Sequence, residues 1–263
     1  MHKTLMFAVA VIFTLVAPTA TQAEVKTQEV EYKQGDTVLQ GFLAWDDAKK
    51  GKRPGVLVVH EWWGHNPHAR NQAIRLAEAG YVGFALDMYG KGKVAEHPDN
   101  AQAFMKEATK DAAVVSARFN AALEQLKQNP LVDTQRIGAI GYCFGGAVVL
   151  GQARAGADLK AVASFHGAIA TETPAQPGKV KAKLIVLNGA ADPMVTPEQR
   201  EAFKKEMKAA KVKYEFIDLK DAKHGFTNPD ADKHGMPALA YNAEADKKSW
   251  AEMLRFFKKN LDK

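Results

Sequence analysis

The stretch Gly141-Tyr142-Cys143-Phe144-Gly145-Gly146 constrains this chain more tightly than any other. Apolar, strand-like residues 137–141 lead into it, and a small-residue helical pattern follows from Gly145. A strand must therefore turn sharply into a helix, with the only cysteine of the sequence at the apex. The spacing G-x-C-x-G-G is the thiol form of the G-x-S-x-G nucleophile elbow. Glycine is needed on both sides because a Cβ there would collide with the adjoining strand or helix, and the apex residue itself is strained. The new helix points its first N–H groups and positive dipole end at the sulfur, which favours thiolate. A buried structural cysteine would explain the thiol. It would explain neither the glycines nor the switch from strand to helix.

The rest of the chain reads as the scaffold for that turn. Residues 27–45 alternate around a turn signal at Gln34-Gly35-Asp36, predicting a β-hairpin. Residues 49–54 are a polar loop. Continuous apolar runs at 56–60, 82–87, 161–165 and 184–188 predict strands buried on both faces. Residues 67–79 read as a helix ended by Gly80, and 100–128 as one long helical region closed by Asn129-Pro130. Residues 197–211 form a charged amphipathic helix, acidic early and rich in lysine late, as its dipole prefers. A last strand at 214–219 and a long helix at 239–261 complete the chain. Alternating strands and helices predict an α/β fold, with a mostly parallel sheet, helices on both faces and the hairpin at its N-terminal side. No repeat or low-complexity linker divides the sequence, so residues 24–263 are expected to form a single domain.

Residues 1–23 read as a secretory signal peptide. Lys3 gives a positive start, residues 5–16 are an apolar run too short for an ordinary membrane span, and Thr21-Gln22-Ala23 supplies a small-residue cleavage site. An uncleaved anchor is the alternative. The mature chain of about 240 residues is expected to be exported, secreted or periplasmic, and free of the membrane. Its hydrophobic content of 46% and charged content of 25% are ordinary for a globular domain. The net charge of +6 falls to +5 without Lys3, and the surplus is spread over helix faces such as Lys204, Lys205 and Lys208. Such a pattern argues for solvated faces and against nucleic-acid binding. A lone cysteine cannot form an internal disulfide, so in an oxidising compartment it is a liability unless the thiol is used.

A thiol nucleophile needs a base to take its proton, and the base needs an acid to fix its tautomer. In open α/β sheets, sites form at the carboxyl ends of strands. Glu61, Asp87, Cys143, His166, Asp192 and His224 all follow predicted strands. Asp192, in Gly189-Ala190-Ala191-Asp192, and His224, in His224-Gly225-Phe226, come after the elbow in the order nucleophile, acid, histidine. Taken singly, Asp192 also reads as a helix cap, and His224 as a packed or solvated histidine. Asp221, three residues before His224, competes as the acid, though no strand end places it.

These pieces, with His60-Glu61-Trp62-Trp63-Gly64 and Asp87-Met88-Tyr89, resemble the dienelactone hydrolase (carboxymethylenebutenolidase-like) family of α/β-hydrolases in family order. The resemblance implies Cys143 as nucleophile, Asp192 and His224 as its partners, and cleavage of esters or lactones. It also implies that Glu61 contacts the resting thiol and helps to activate it. A carboxylate near the sulfur opposes thiolate, which keeps an exported thiol neutral and less open to oxidation. The elbow pattern puts the oxyanion hole on the backbone N–H groups of Phe144 and Trp62. The family holds its substrate carboxylate with arginines; Lys91 and Asn228 occupy those stretches here. Lys91 could pair with a carboxylate as a point charge, while Asn228 brings no charge. Trp62 and Trp63 point to a bulky apolar or aromatic pocket wall, or to core packing.

His60, His65 and His68 invite a metal reading, but His60-Glu61-Trp62-Trp63-Gly64-His65 has one residue too many for His-Glu-x-x-His and straddles a strand end. No metal site and no cofactor are expected. The expected partner is a small ester or lactone, and the chain a monomer or small homo-oligomer. Thioester hydrolysis or acyl transfer on the same site, and ligand capture without catalysis, are the rival readings.

Overall fold

The computed structural model describes residues 24–262. Residues 1–23, where the signal-peptide reading falls, lie outside them. The hairpin forms as expected, from β1 (Val25–Gln34) and β2 (Thr37–Asp46), with Gly35 in the turn at φ 55°. It leads into β3 (Arg53–Val59), α1 (Pro67–Glu78) and β4 (Val82–Leu86). Next come α2 (Pro98–Thr109), α3 (Ala112–Gln128), β5 (Val132–Tyr142) and α4 (Phe144–Ala155). The chain closes with β6 (Ala161–Phe165), β7 (Lys183–Gly189), α5 (Pro197–Ala209), β8 (Tyr214–Leu219) and α6 (Ala243–Asn260).

One eight-stranded sheet runs β1-β2-β4-β3-β5-β6-β7-β8. The pairings of β1 with β2 and β2 with β4 are antiparallel, and all the others are parallel. β3 lies between β4 and β5, so the crossovers on its two sides run in opposite directions and open a crevice at the strand ends. Strand residues alternate between two cores. Val56 and Val58 of β3 pack with Leu76 of α1 and Phe257 of α6. Leu57 and Val59 face the opposite way, into the core that holds Phe119 of α3, Val149 of α4 and Phe203 of α5. Both faces of the sheet are therefore covered, as the apolar runs require. Among the described residues, no helix is long and apolar enough to cross a membrane.

Two helix boundaries differ from the sequence reading. The region 100–128 breaks at Asp111, whose extended backbone and side chain cap α3 by accepting from the Ala113 N–H at 2.7 Å. The C-terminal helix begins at Ala243, not at 239. Leu239 instead lies beside His224 as an isolated bridge, and Asn242 caps the helix.

Candidate active site

Cys143, between the end of β5 and the start of α4, has φ 51°, a conformation that L-residues other than glycine seldom adopt. Its neighbours impose that shape. A Cβ on Gly141 would lie 2.0 Å from the Gly145 carbonyl oxygen, and one on Gly145 would lie 2.2 Å from that of Val59. The turn is further pinned by the Cys143 N–H donating to the Phe165 carbonyl at 3.0 Å. Phe144 is the first residue of α4, so its N–H has no acceptor within the helix.

Asp192 follows β7 and is buried. Its Oδ1 accepts from the Met194 N–H at 2.8 Å, and its Oδ2 accepts from His224 Nδ1 at 2.8 Å. It does not cap α5, a task taken by Thr196 in a capping box with Gln199. One Asp192 oxygen is held by backbone, leaving the other to orient the imidazole. The His224 backbone is bracketed in turn, its N–H donating to Ala238 at 3.2 Å and its carbonyl accepting from Ala240 at 3.1 Å. With Nδ1 on Asp192, the buried Nε2 has no hydrogen-bond partner among the described residues, which leaves it for the neighbouring Cys143 sulfur. Burial pulls the His224 pKa down. The negative charge Cys143 carries once it is deprotonated, with the Asp192 hydrogen bond, outweighs it and raises the pKa well above the ordinary value.

Glu61 lies just past β3 and is buried. Its Oε2 accepts from Asn228 Nδ2 at 2.6 Å, and His68 Nδ1 lies 3.7 Å from the same oxygen. Trp62 is half-buried, and its carbonyl accepts from the Tyr89 hydroxyl at 3.1 Å. Trp63 is buried, edge-on to Trp62 and stacked on His234, with centroids 3.7 Å apart and planes 12° from parallel.

Glu61, Cys143 and His224 open onto one cavity of about 1050 Å³. Trp62, Trp63, Met105, Phe144, Val148 and Leu239 make its wall largely apolar. That combination of concave apolar lining and a few convergent polar groups is the usual form of a small-molecule site.

Other sequence-predicted residues lie elsewhere. Lys91 is exposed and ion-paired with Glu31 on β1, outside the cavity lining, because its loop runs back along the hairpin. Asn228 is also outside the lining, its amide turned to Glu61. His166 is buried and packs edge-on to His224, with Nε2 2.9 Å from the Thr227 hydroxyl, and burial holds its pKa far below the ordinary value. Asp87 accepts from the Tyr89 and Gly90 N–H groups and shapes a turn. Asp221 sits exposed beside Lys220. His60 is locked between the Glu61 carbonyl and the Met88 N–H. Sequence reasoning gave His68 no place beside Glu61, since nothing in the spacing of the two residues marks the contact.

The dienelactone hydrolase family profile matches residues 39–261. This chain belongs to the dienelactone hydrolase family. A candidate carboxymethylenebutenolidase from Synechocystis is 28% identical over 255 residues, covering 90% of this chain and 98% of the relative. A dienelactone hydrolase-like promiscuous phosphotriesterase from metagenomic libraries superposes with a TM-score of 0.86 at 38% identity, over 90% of this chain and 98% of that one. A dienelactone hydrolase-type structure from Klebsiella pneumoniae, at 22% identity and a TM-score of 0.73 over 89% and 99% of the two chains, shares the fold. The protein is thus a dienelactone hydrolase-like hydrolase on an α/β-hydrolase fold.

Proposed function

We propose that this chain hydrolyses carboxylic esters or lactones through Cys143, His224 and Asp192, by way of a thioester acyl-enzyme. The observation that carries this reading is His224: one ring nitrogen is fixed by Asp192 and the other is left to Cys143, the one thiol in the cavity wall. In the first half-reaction His224 Nε2 takes the thiol proton and the thiolate attacks the carbonyl carbon. The oxyanion is met by the N–H groups of Phe144 and Trp62. Collapse expels the alcohol, protonated by His224, and leaves an acyl group on Cys143. Water, deprotonated by His224, then attacks the thioester, and the acid leaves as thiolate re-forms. Glu61 gates the cycle by disfavouring charge on the resting sulfur.

The substrate would be a free small molecule met outside the cytoplasm, after export directed by residues 1–23. Phosphotriesters are a second substrate class, favoured by the 38%-identical phosphotriesterase relative. The same thiolate and N–H pair would serve a tetrahedral phosphoryl centre.

Mass spectrometry of protein quenched early with a short aryl ester tests the reading. An acyl adduct on the Cys143 peptide that decays with product release is the expected result. Unmodified Cys143 across a broad ester panel would instead favour ligand capture without catalysis.

A further inference from the structure

The cavity follows α4 from end to end. Phe144, Ala147, Val148, Gly151, Gln152 and Ala155 all line it, at the three- and four-residue spacing of one helix face. Twelve residues at 1.5 Å each make this floor about 18 Å long, with Cys143 at its head. One wall comes from Met105 of α2 and Val115 of α3, the other from the loop carrying Pro174 and Lys179. The trough is far longer than the few ångströms that a small lactone would occupy.

Its floor is kept low by small side chains. Ala147, Gly151 and Ala155 succeed one another at four-residue intervals, half-buried to exposed, while Val149, Leu150 and Ala153 on the other side of α4 are buried. Gly151 is the telling position. It lies in mid-helix, where glycine weakens the helix relative to alanine. No turn or positive φ calls for it, and a Cβ there would meet no heavy atom within 4 Å. Packing does not demand glycine at 151, and its missing side chain leaves the floor lowest there.

We propose that one arm of the ester is an extended apolar chain, laid along α4 from Cys143 toward Ala155, and that Ala147, Gly151 and Ala155 set how long it can be. This rests on the ester-hydrolase reading and adds the substrate class to it. The charges of the site agree. Glu61 stands at the catalytic end, and Arg154 at the far end is already engaged by Glu206 through two hydrogen bonds of 2.8 and 2.9 Å. An uncharged chain suits the stretch between them. The far mouth, at Thr173 and the exposed Lys179, is polar, so the tip of the chain would emerge there.

The test is kcat/KM across 4-nitrophenyl acyl esters from acetate to tetradecanoate, and across alkyl acetates of matching length, all below their micelle concentrations. The expected result is a rise of tenfold or more from the shortest member to the decyl length in one of the two series. Leucine at each floor position should then act as a stop. Ala147→Leu should spare only the shortest chains, Gly151→Leu should also admit those of middle length, and Ala155→Leu should exclude only the longest, the cut-off moving in steps of about 6 Å. Because Gly151 faces open space, Gly151→Leu should keep the wild-type circular dichroism. If it does not, Ala155→Leu, at an exposed position, carries the test. Rates that fall steadily with length in both series, or cut-offs unmoved by the substitutions, would overturn the proposal. Absence of any Cys143 acylation by acetate would instead strike the hydrolase reading, and this inference would fall with it.

Discussion

Asn228 reaches across 167 residues of sequence to donate a 2.6 Å hydrogen bond to Glu61, inside the wall of the candidate site. The amide fixes the carboxylate in place on the wall of the cavity that also holds Cys143. Glu61→Gln should therefore raise the rate of Cys143 alkylation by iodoacetamide at pH 7, by about tenfold if one charge is felt at the sulfur. Asn228→Leu, which frees the carboxylate to move, should change that rate too. A wild-type rate in both variants would remove Glu61 from control of the thiol.

The raised pKa of His224 has a definite sign. The stabilisation carried by its imidazolium is complete below the ordinary pKa near 6.5 and is lost as pH rises through the higher folded value. Because the sulfur is the strongest influence opposing burial, Cys143→Ser should lower the His224 pKa. Proton or nitrogen NMR titration of the ring would show it, and an unchanged midpoint would mean that Asp192 alone sets the basicity.

Asp192 does two jobs with two oxygens, and only one of them survives replacement by asparagine. Asp192→Asn should keep the Met194 contact and the fold while presenting the wrong partner to Nδ1. A loss of about 10²–10⁴ in kcat is expected on an aryl ester, with little change in KM. Steady-state kinetics on folded protein would reveal it; a loss confined to KM would point to a binding role.

Three buried histidines, His60, His65 and His166, are all held below the ordinary value by burial, His65 down to about 3. The unfolded chain takes up their protons first, so stability should fall as pH drops below about 6.5. His65→Asn should reduce that acid slope by close to one proton down to about pH 3, as read from urea unfolding at stepped pH. An identical slope would assign acid sensitivity to other groups.

The glycines of the elbow should tolerate no side chain. Gly145→Ala would press a Cβ into the Val59 carbonyl, with the Gly145 backbone itself packed over Gly141. A loss of about 3 kcal/mol or more is expected, measured by denaturant unfolding. A loss within 1 kcal/mol would show that the turn can relax.

Much of this arrangement is visible in the amino-acid order. Apolar runs mark the inner strands because both faces of the sheet are covered, and the elbow glycines report close approach of backbone. Cys143, Asp192 and His224 each follow a strand, which is why their order alone could place them on one rim. What stayed hidden depends on side chains that meet only in three dimensions. Lys91 turns to Glu31 on the hairpin, and Asn228 turns to Glu61, although family resemblance put both near substrate. The stack of Trp63 on His234 joins segments from opposite ends of the chain. The break at Asp111 and the start of the last helix at Asn242 both lie within reach of local chemistry, since an aspartate or asparagine ahead of Ala112-Ala113 or Ala243-Glu244-Ala245 is a good cap.

The backbone of Cys143 is bent by its neighbours, by Gly141 beneath it and Gly145 beyond it, and not by anything the sulfur does. The apex is thus a socket indifferent to the element it carries. Oxygen in place of sulfur would inherit the same aim, the same helix end and the same histidine. A lineage on this scaffold can therefore exchange one nucleophile for another by a single codon, and adjust afterwards only the groups that govern its proton.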